Sequence, residues 1–185
     1  GPVTISMDIG YLKLVVSHAA AVHGIDISPE PVDLARIALK RLGLIGKSRE
    51  RDRRPTPNEL QRLFEYFDSN KRLRMPMTRI CKFAIATAMR QEEICRIRWS
   101  DVDAAGKTVL VRDRKDPRDK DGNHVKVPLI ASTGYDAWAL LAEQKISGRR
   151  ESECFPYFSR SVGTAFRRAC QELNIEDLHF HDLRH

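Results

Sequence analysis

Apolar residues recur at near-helical spacing from residue 4 to 23, through Ile5, Ile9, Leu12, Val16 and Ala20, and Gly24 supplies a stop. A second helix fits 31 to 42, with Pro31 in its first turn, a stripe of Leu34, Ile37, Ala38 and Leu42, and Gly43 at its end. The pattern then breaks. "KSRERDRRP", residues 47 to 55, holds five basic side chains and no apolar one, which predicts an exposed linker and a domain boundary. Periodicity resumes at "TPNEL", where Thr56 stands at an N-cap, Pro57 at the first helical position and Glu59 where a capping box needs it. That helix is expected to reach about Phe67. Further helices are expected from about Met77 to Met89 and from about Gln91 to Arg98. The period shortens to two in "TVLVRDR" (108–114) and "HVKVPL" (124–129), which predicts two strands joined across a turn containing Asp121 and Gly122. Helices are expected near 133–146, 159–173 and from about 181 onward. The predicted fold class is α+β, mostly α-helical, with one small antiparallel β-hairpin or sheet.

Composition narrows the class. With 42% apolar and 31% charged residues in 185, the chain reads as globular, with one sizeable core plus a small appendage. No stretch holds the roughly 18 consecutive apolar residues of a membrane span. The longest apolar passage, "LVVSHAAAVHG", is broken by Ser17, His18 and His23, so no membrane partner is expected, and no signal peptide is visible. An excess of 32 basic over 25 acidic residues, net +7, is compatible with a polyanionic partner. Cys81, Cys95, Cys154 and Cys170 lie far apart with no CxxC pair, which fits buried thiols in a reducing cytosol rather than a metal or redox site.

Two stretches hold candidate chemistry. In "TAMRQEEICRIRWSDVD", residues 87 to 103, Arg90 directly follows an apolar helix where the chain should turn. Glu93 comes three residues later, Ile94, Ile97 and Val102 supply core contacts, and Trp99 is a large anchor. By spacing alone, the same pattern fits a helix turn carrying a solvated arginine. The second stretch, "HDLRH", occupies 181 to 185. His181 and His185 are four apart, as zinc ligands can be. No glutamate follows His181, no third ligand is apparent, and Arg184 between them would repel a cation, so no metal is expected.

The first stretch resembles the leading arginine motif of the phage-integrase, or tyrosine recombinase, family: T-G-x-R-x-x-E-[IL]-x-x-L-x-W-x-D-[IV]-D. Thr87, Arg90, Glu93, Ile94, Trp99, Asp101 and Asp103 fall in place, with Ala88 for the usual glycine and Ile97 for a leucine. "HDLRH" matches the family's second motif, H-x-L-R-H. Between them the family carries a catalytic lysine near the tip of a β-hairpin. Counting from the first strand favours Lys115, the preferred assignment, and counting back from Val127-Pro128-Leu129 favours Lys120. Lys126 reads as a solvated charge.

The resemblance implies a tyrosine-recombinase-like catalytic domain over 55–185. Residues 1–50 would be the remnant of an N-terminal helical DNA-clamping domain and linker. It implies site-specific recombination or integration of a mobile element, by DNA strand cleavage and rejoining through a phosphotyrosyl intermediate. The implied catalytic residues are Arg90, Lys115 (or Lys120), His181 and Arg184, with Glu93 and His185 in support. Lys47, Arg49, Arg51, Arg53 and Arg54 are candidate contacts to DNA phosphates. Double-stranded DNA and further protomers, assembled as a tetramer on DNA, are the implied partners. No cofactor is required, and a cytoplasmic, nucleoid-associated location in a bacterium or phage-infected cell follows. The family's nucleophilic tyrosine lies beyond its second arginine, whereas Tyr11, Tyr66, Tyr135 and Tyr157 all precede it. The 185-residue chain is therefore expected to be inactive in cleavage by itself. The alternative is a non-catalytic, integrase-like DNA-binding protein on the same scaffold.

Overall fold

The structure, a computed structural model, describes residues 1–47, 51–114, 122–147 and 152–184. It divides into two compact units, Gly1–Arg51 and Asp52–His185. In the first, helix α1 (Pro2–His23) ends at Gly24, whose left-handed φ of 62° closes the helix, and α2 (Glu30–Arg41) packs against it. Lys13 Nζ pairs with Asp33 across the two helices at 2.7 Å. The apolar stripe predicted for α1 does not become a core. Neither helix buries a residue, and Ile45 is this unit's one buried apolar side chain among the described residues. By length and composition alone α1 is long and apolar enough to cross a membrane. The consecutive-residue criterion overlooked this because Ser17 and His18 interrupt the run without making the helix polar on average.

The second unit holds the core. Thr56 caps α3 (Pro57–Ser69) in a complete capping box: its Oγ1 accepts the Glu59 N–H at 3.2 Å, and Glu59 accepts the Thr56 N–H at 2.7 Å. Helices α4 (Met77–Thr87), α5 (Gln91–Arg96), α6 (Ala137–Ser147) and α7 (Ser159–Glu172) follow. Fully buried Leu63, Ile80, Phe83, Phe155, Val162 and Phe166 form the centre of this core. The Phe83 and Phe155 rings lie 5.2 Å apart, within the range where aromatic pairs add to simple burial.

Beside the helices lies a three-stranded antiparallel sheet in the order β1 (Val102–Asp103), β2 (Thr108–Val111), β3 (Val125–Pro128). Val109 pairs with Val127, and these two with Val111 turn one face into the core. The short β1 was not anticipated. Asp103 makes it possible, because its Oδ1 accepts the N–H groups of Ala105 and Gly106 at 3.0 Å and turns the chain back into β2. Strand β2 stops earlier than its period-two pattern predicts. Asp113 enters the left-handed region at φ 47°, which breaks the ladder.

Candidate active site

The turn that carries Arg90 is built by its neighbours. At the end of α4, Thr87 Oγ1 donates to the Phe83 carbonyl at 2.7 Å, and Ala88 adopts a left-handed φ of 50°. Met89 is then fully buried, and Arg90 returns to extended backbone as the N-cap of α5. Helix α4 thus ends two residues before the Met89 expected from periodicity.

Glu93 completes the turn. Its Oε2 accepts the Arg90 N–H at 2.8 Å and its Oε1 accepts from Arg90 Nη1 at 2.7 Å. One carboxylate therefore satisfies an open helix N-terminal donor and fixes the guanidinium. Burial works to raise the Glu93 carboxyl. The Arg90 N–H and guanidinium outweigh it, aided by the charge of Arg114, and hold the group below the usual carboxylate range. Glu93 is only 3% exposed, so it works on its neighbours, not on solvent.

Helix α5 is seated on α7 by the next residue. Gln91 Nε2 donates to Ser159 Oγ at 3.0 Å and also to the Ser159 carbonyl. Gly163 makes room for it, because a Cβ there would stand 3.0 Å from Gln91 Oε1.

The second motif occupies a 3-10 turn, Phe180–Arg184, tighter than the α-helix expected to begin there. Phe180 is buried edge-on against Phe166 with ring centroids 5.5 Å apart, and Leu183 is also buried. Asp182, with no exposure at all, accepts the His179 N–H at 2.8 Å and closes the turn. With Phe180, Asp182 and Leu183 facing inward, His181 is left exposed and Arg184 half-buried. Arg184 Nε donates to the Ala88 carbonyl at 2.6 Å. The two motifs thereby meet at the turn that precedes Arg90. Burial, then the neighbouring Arg90 charge, depresses the Arg184 guanidinium from its ordinary value. Glu93 offsets part of this, and Arg114 adds to it. Cations this close repel one another, and an arriving anion would relieve that repulsion.

The other candidates fall into three groups. Lys115, Lys120, His185 and Arg49 lie outside the described residues. Lys47 and Arg54 are exposed, and Arg51 is half-buried. Arg53 is engaged by protein groups. Its guanidinium meets both Glu59 oxygens, at 2.5 and 3.2 Å, and donates to the Glu176 carbonyl at 3.4 Å. Among the described residues, no three His, Cys, Asp or Glu side chains gather where a metal could sit. All four cysteines are buried, and desolvation raises every thiol: Cys95 and Cys170 to about 11, Cys154 to about 12, Cys81 further still. They stay protonated at neutral pH and are poor nucleophiles.

Sequence reasoning missed the work done by two acids within the motifs. Asp101 is buried and accepts from Arg112 Nε at 3.0 Å and Nη2 at 2.6 Å, tying the 3-10 turn Trp99–Asp101 to the end of β2. Asp182 is the turn cap described above. Aspartate's preference for turns and caps was a legible signal for both. The Arg114 contact with Glu93 had none.

Known proteins resemble this chain in sequence and in fold. A shufflon-specific DNA recombinase of Escherichia coli is 37% identical over 135 residues, covering 73% of this chain and 32% of the relative. An integrase/recombinase of Haemophilus influenzae is 30% identical over 163 residues, covering 80% and 51%. The chain thus spans from about a third to about half of the curated relatives it matches. Among solved structures, a lambda integrase dimer bound to a COC' core site superposes with a TM-score of 0.60 at 18% identity, over 96% of this chain and 70% of that one. The Tn1549 transposon integrase in complex with circular intermediate DNA gives 0.66 at 14% identity, over 98% and 63%. At these identities the structures establish a shared fold. Residues 53–185 match the phage integrase family, and with two arginine motifs joined through Ala88 on that fold, the chain belongs to this family.

Proposed function

We propose that this chain is the catalytic part of a site-specific DNA recombinase that cleaves and rejoins duplex DNA through a 3′-phosphotyrosyl intermediate. The observation that carries the reading is the junction of the two motifs, in which Arg184 is bonded to the turn before Arg90 while buried Glu93 fixes Arg90. A phosphodiester under attack passes through a pentavalent phosphorus with added negative charge on its non-bridging oxygens. Paired guanidiniums are permanently charged donors suited to those oxygens. In this reading, Arg90 and Arg184 hold the scissile phosphate. His181, exposed on the same turn, donates to it and takes part in proton transfer. Lys115, or Lys120 in its place, protonates the departing 5′-oxygen.

The nucleophile is a tyrosine outside residues 1–185. Its hydroxyl oxygen bonds to phosphorus as the P–O5′ bond breaks, so the phosphoester is exchanged rather than hydrolysed and no energy source is needed. Tyr66, Tyr135 and Tyr157 all pack against the core, in keeping with structural rather than nucleophilic roles. Residues 1–50 are read as part of a DNA-clamping domain, with Lys47, Arg49, Arg51 and Arg54 along the phosphates. Duplex DNA, recombinase protomers in a tetramer and a nucleoid location complete the assignment.

The test is a suicide DNA substrate nicked beside the cleavage point, incubated with the 185-residue chain and, separately, with the full-length protein. A covalent protein–DNA band is expected only from the full-length protein, and Arg90→Ala or Arg184→Ala should abolish it, since a positioned nucleophile without charge stabilisation is insufficient. Binding of DNA without any covalent band from the full-length protein would favour the non-catalytic alternative. A band from the 185 residues alone would mean that one of their own side chains attacks, and would overturn the mechanism.

A further inference from the structure

Glu93 is also where the hairpin meets the arginine turn. The oxygen that accepts from Arg90 Nη1 lies 3.5 Å from Arg114 Nε. Arg114 follows β2, and both its backbone N–H and its carbonyl are bonded to Asn123, two residues before β3. Its N–H donates to the Asn123 carbonyl at 2.7 Å, and its carbonyl accepts from Asn123 Nδ2 at 3.2 Å. One residue earlier, the Asp113 N–H donates to His124 Nδ1 at 3.1 Å. Arg114 is thus fixed at its backbone by Asn123 and at its guanidinium by a buried carboxylate. Its side chain is 23% exposed against 35% for Arg90, so neither guanidinium is a free surface charge.

The arrangement resolves a physical conflict in the site. A buried carboxylate paired with Arg90 alone would hold it in place but also cancel most of its charge, leaving little for a phosphate. A second cation on the same carboxylate removes that cost. Here two guanidiniums, Arg90 and Arg114, pair with the single carboxylate of Glu93 at 2.7 and 3.5 Å, so this group keeps a net positive charge beside Arg184. Neither arginine motif contains the Arg114 position.

We propose that Arg114 is a positioning residue of the phosphate site: by compensating Glu93 from the hairpin side, it lets that carboxylate orient Arg90 without neutralising it. This rests on the recombinase reading above. Arg114 acts through Glu93 and need not touch the phosphate itself. It also ties the root of the hairpin to the arginine turn, so that charge and geometry are set by one contact.

The test measures single-turnover cleavage of the nicked substrate at saturating DNA by the full-length protein, together with the DNA dissociation constant and the Tm of each variant. Arg114→Ala is expected to slow cleavage by about tenfold to a hundredfold, the scale of a small misplacement in an active site, while the dissociation constant and Tm stay near wild type. Arg114→Lys, which keeps the charge, should recover most of the rate. In an Glu93→Gln background the carboxylate charge is gone, so adding Arg114→Ala should cost little more. If Arg114→Ala lowers the Tm, Arg114→Gln serves in its place. A full cleavage rate in Arg114→Ala would overturn the proposal, as would a lysine variant no better than alanine, or losses that simply add in the Glu93→Gln background. Absence of cleavage by the wild-type protein would instead overturn the recombinase reading, and with it the reaction in which Arg114 acts.

Discussion

The units on either side of residue 51 are built from similar material and end in different states. The first contains the longest helix of the described chain, with apolar residues at helical spacing, yet Tyr11, Leu14 and Val15 are each more than 60% exposed. In the second, shorter helices put comparable residues out of contact with water altogether. Helical periodicity makes a face, and a face becomes a core only when other layers close over it. Two helices offer each other one side apiece. Five helices and a sheet offer an interior, and the site is assembled on that interior, with Met89, Ile94, Phe180 and Leu183, all close to Arg90 or Arg184 in sequence, buried in it.

The largest expected effect tests this contrast head-on. Phe83→Ala removes a fully buried ring packed at 5.2 Å on Phe155 and should cost about 3–5 kcal/mol. Leu14→Ala, at a position 65% exposed, should stay within about 0.5 kcal/mol. Denaturant midpoints for the two variants decide it. A Leu14→Ala loss approaching that of Phe83→Ala would mean that the first unit is packed in solution against something that covers α1.

An intermediate effect comes from the α3 cap, where the second unit begins. The hydrogen bond from Arg53 holds the Glu59 carboxyl down to about 2, against burial, with the Thr56 N–H and hydroxyl assisting. A carboxyl whose folded pKa is depressed contributes stability that is fully present above its unfolded value, near 4.3, and is lost as pH falls toward about 2. Thr56→Ala should cost about 1 kcal/mol at neutral pH. Glu59→Gln should flatten the decline in stability between about pH 5 and pH 2. A pH titration of Tm on wild type and Glu59→Gln checks this, and identical acid limbs would show that the cap and its arginine contribute nothing measurable.

What could be read from the sequence was local. The Thr56–Glu59 capping box and the Gly24 stop are set by residues within a few positions of one another, the hairpin by the period-two alternation within each strand, and each is present. The family motifs pointed to Arg90 and Arg184 without revealing how they meet, because the bond from Arg184 to the Ala88 carbonyl spans 96 positions. Elements that depend on tertiary context were misjudged. The 3-10 form of the second motif follows from Asp182 capping a turn pinned at Phe180 and Leu183, and β1 exists only because Asp103 folds the chain back. The Arg114–Glu93 contact joins a loop root to a helix start through a buried acid, and no periodicity or spacing encodes that.

The smallest effect concerns the residue where the family's usual glycine is replaced. Ala88 sits at φ 50°, a conformation that costs an L-residue about 1–2 kcal/mol and glycine almost nothing. Ala88→Gly removes that strain, but it also frees the unfolded chain, which costs about 0.4–1 kcal/mol. The strain is the larger quantity, so the variant should be more stable by about 0.5 kcal/mol, within the difference of those two ranges. Ala88 is exposed, so no packing is lost with its methyl group. Its carbonyl, the acceptor for Arg184, is backbone and remains in either variant. Ala88→Val should behave in the opposite sense, because a β-branched side chain tolerates the left-handed region least. Careful melting of the three proteins orders them glycine, alanine, valine from most to least stable. Any fall in stability for Ala88→Gly would show that the turn is held in its left-handed form without strain, and that alanine at this position costs the arginine turn nothing.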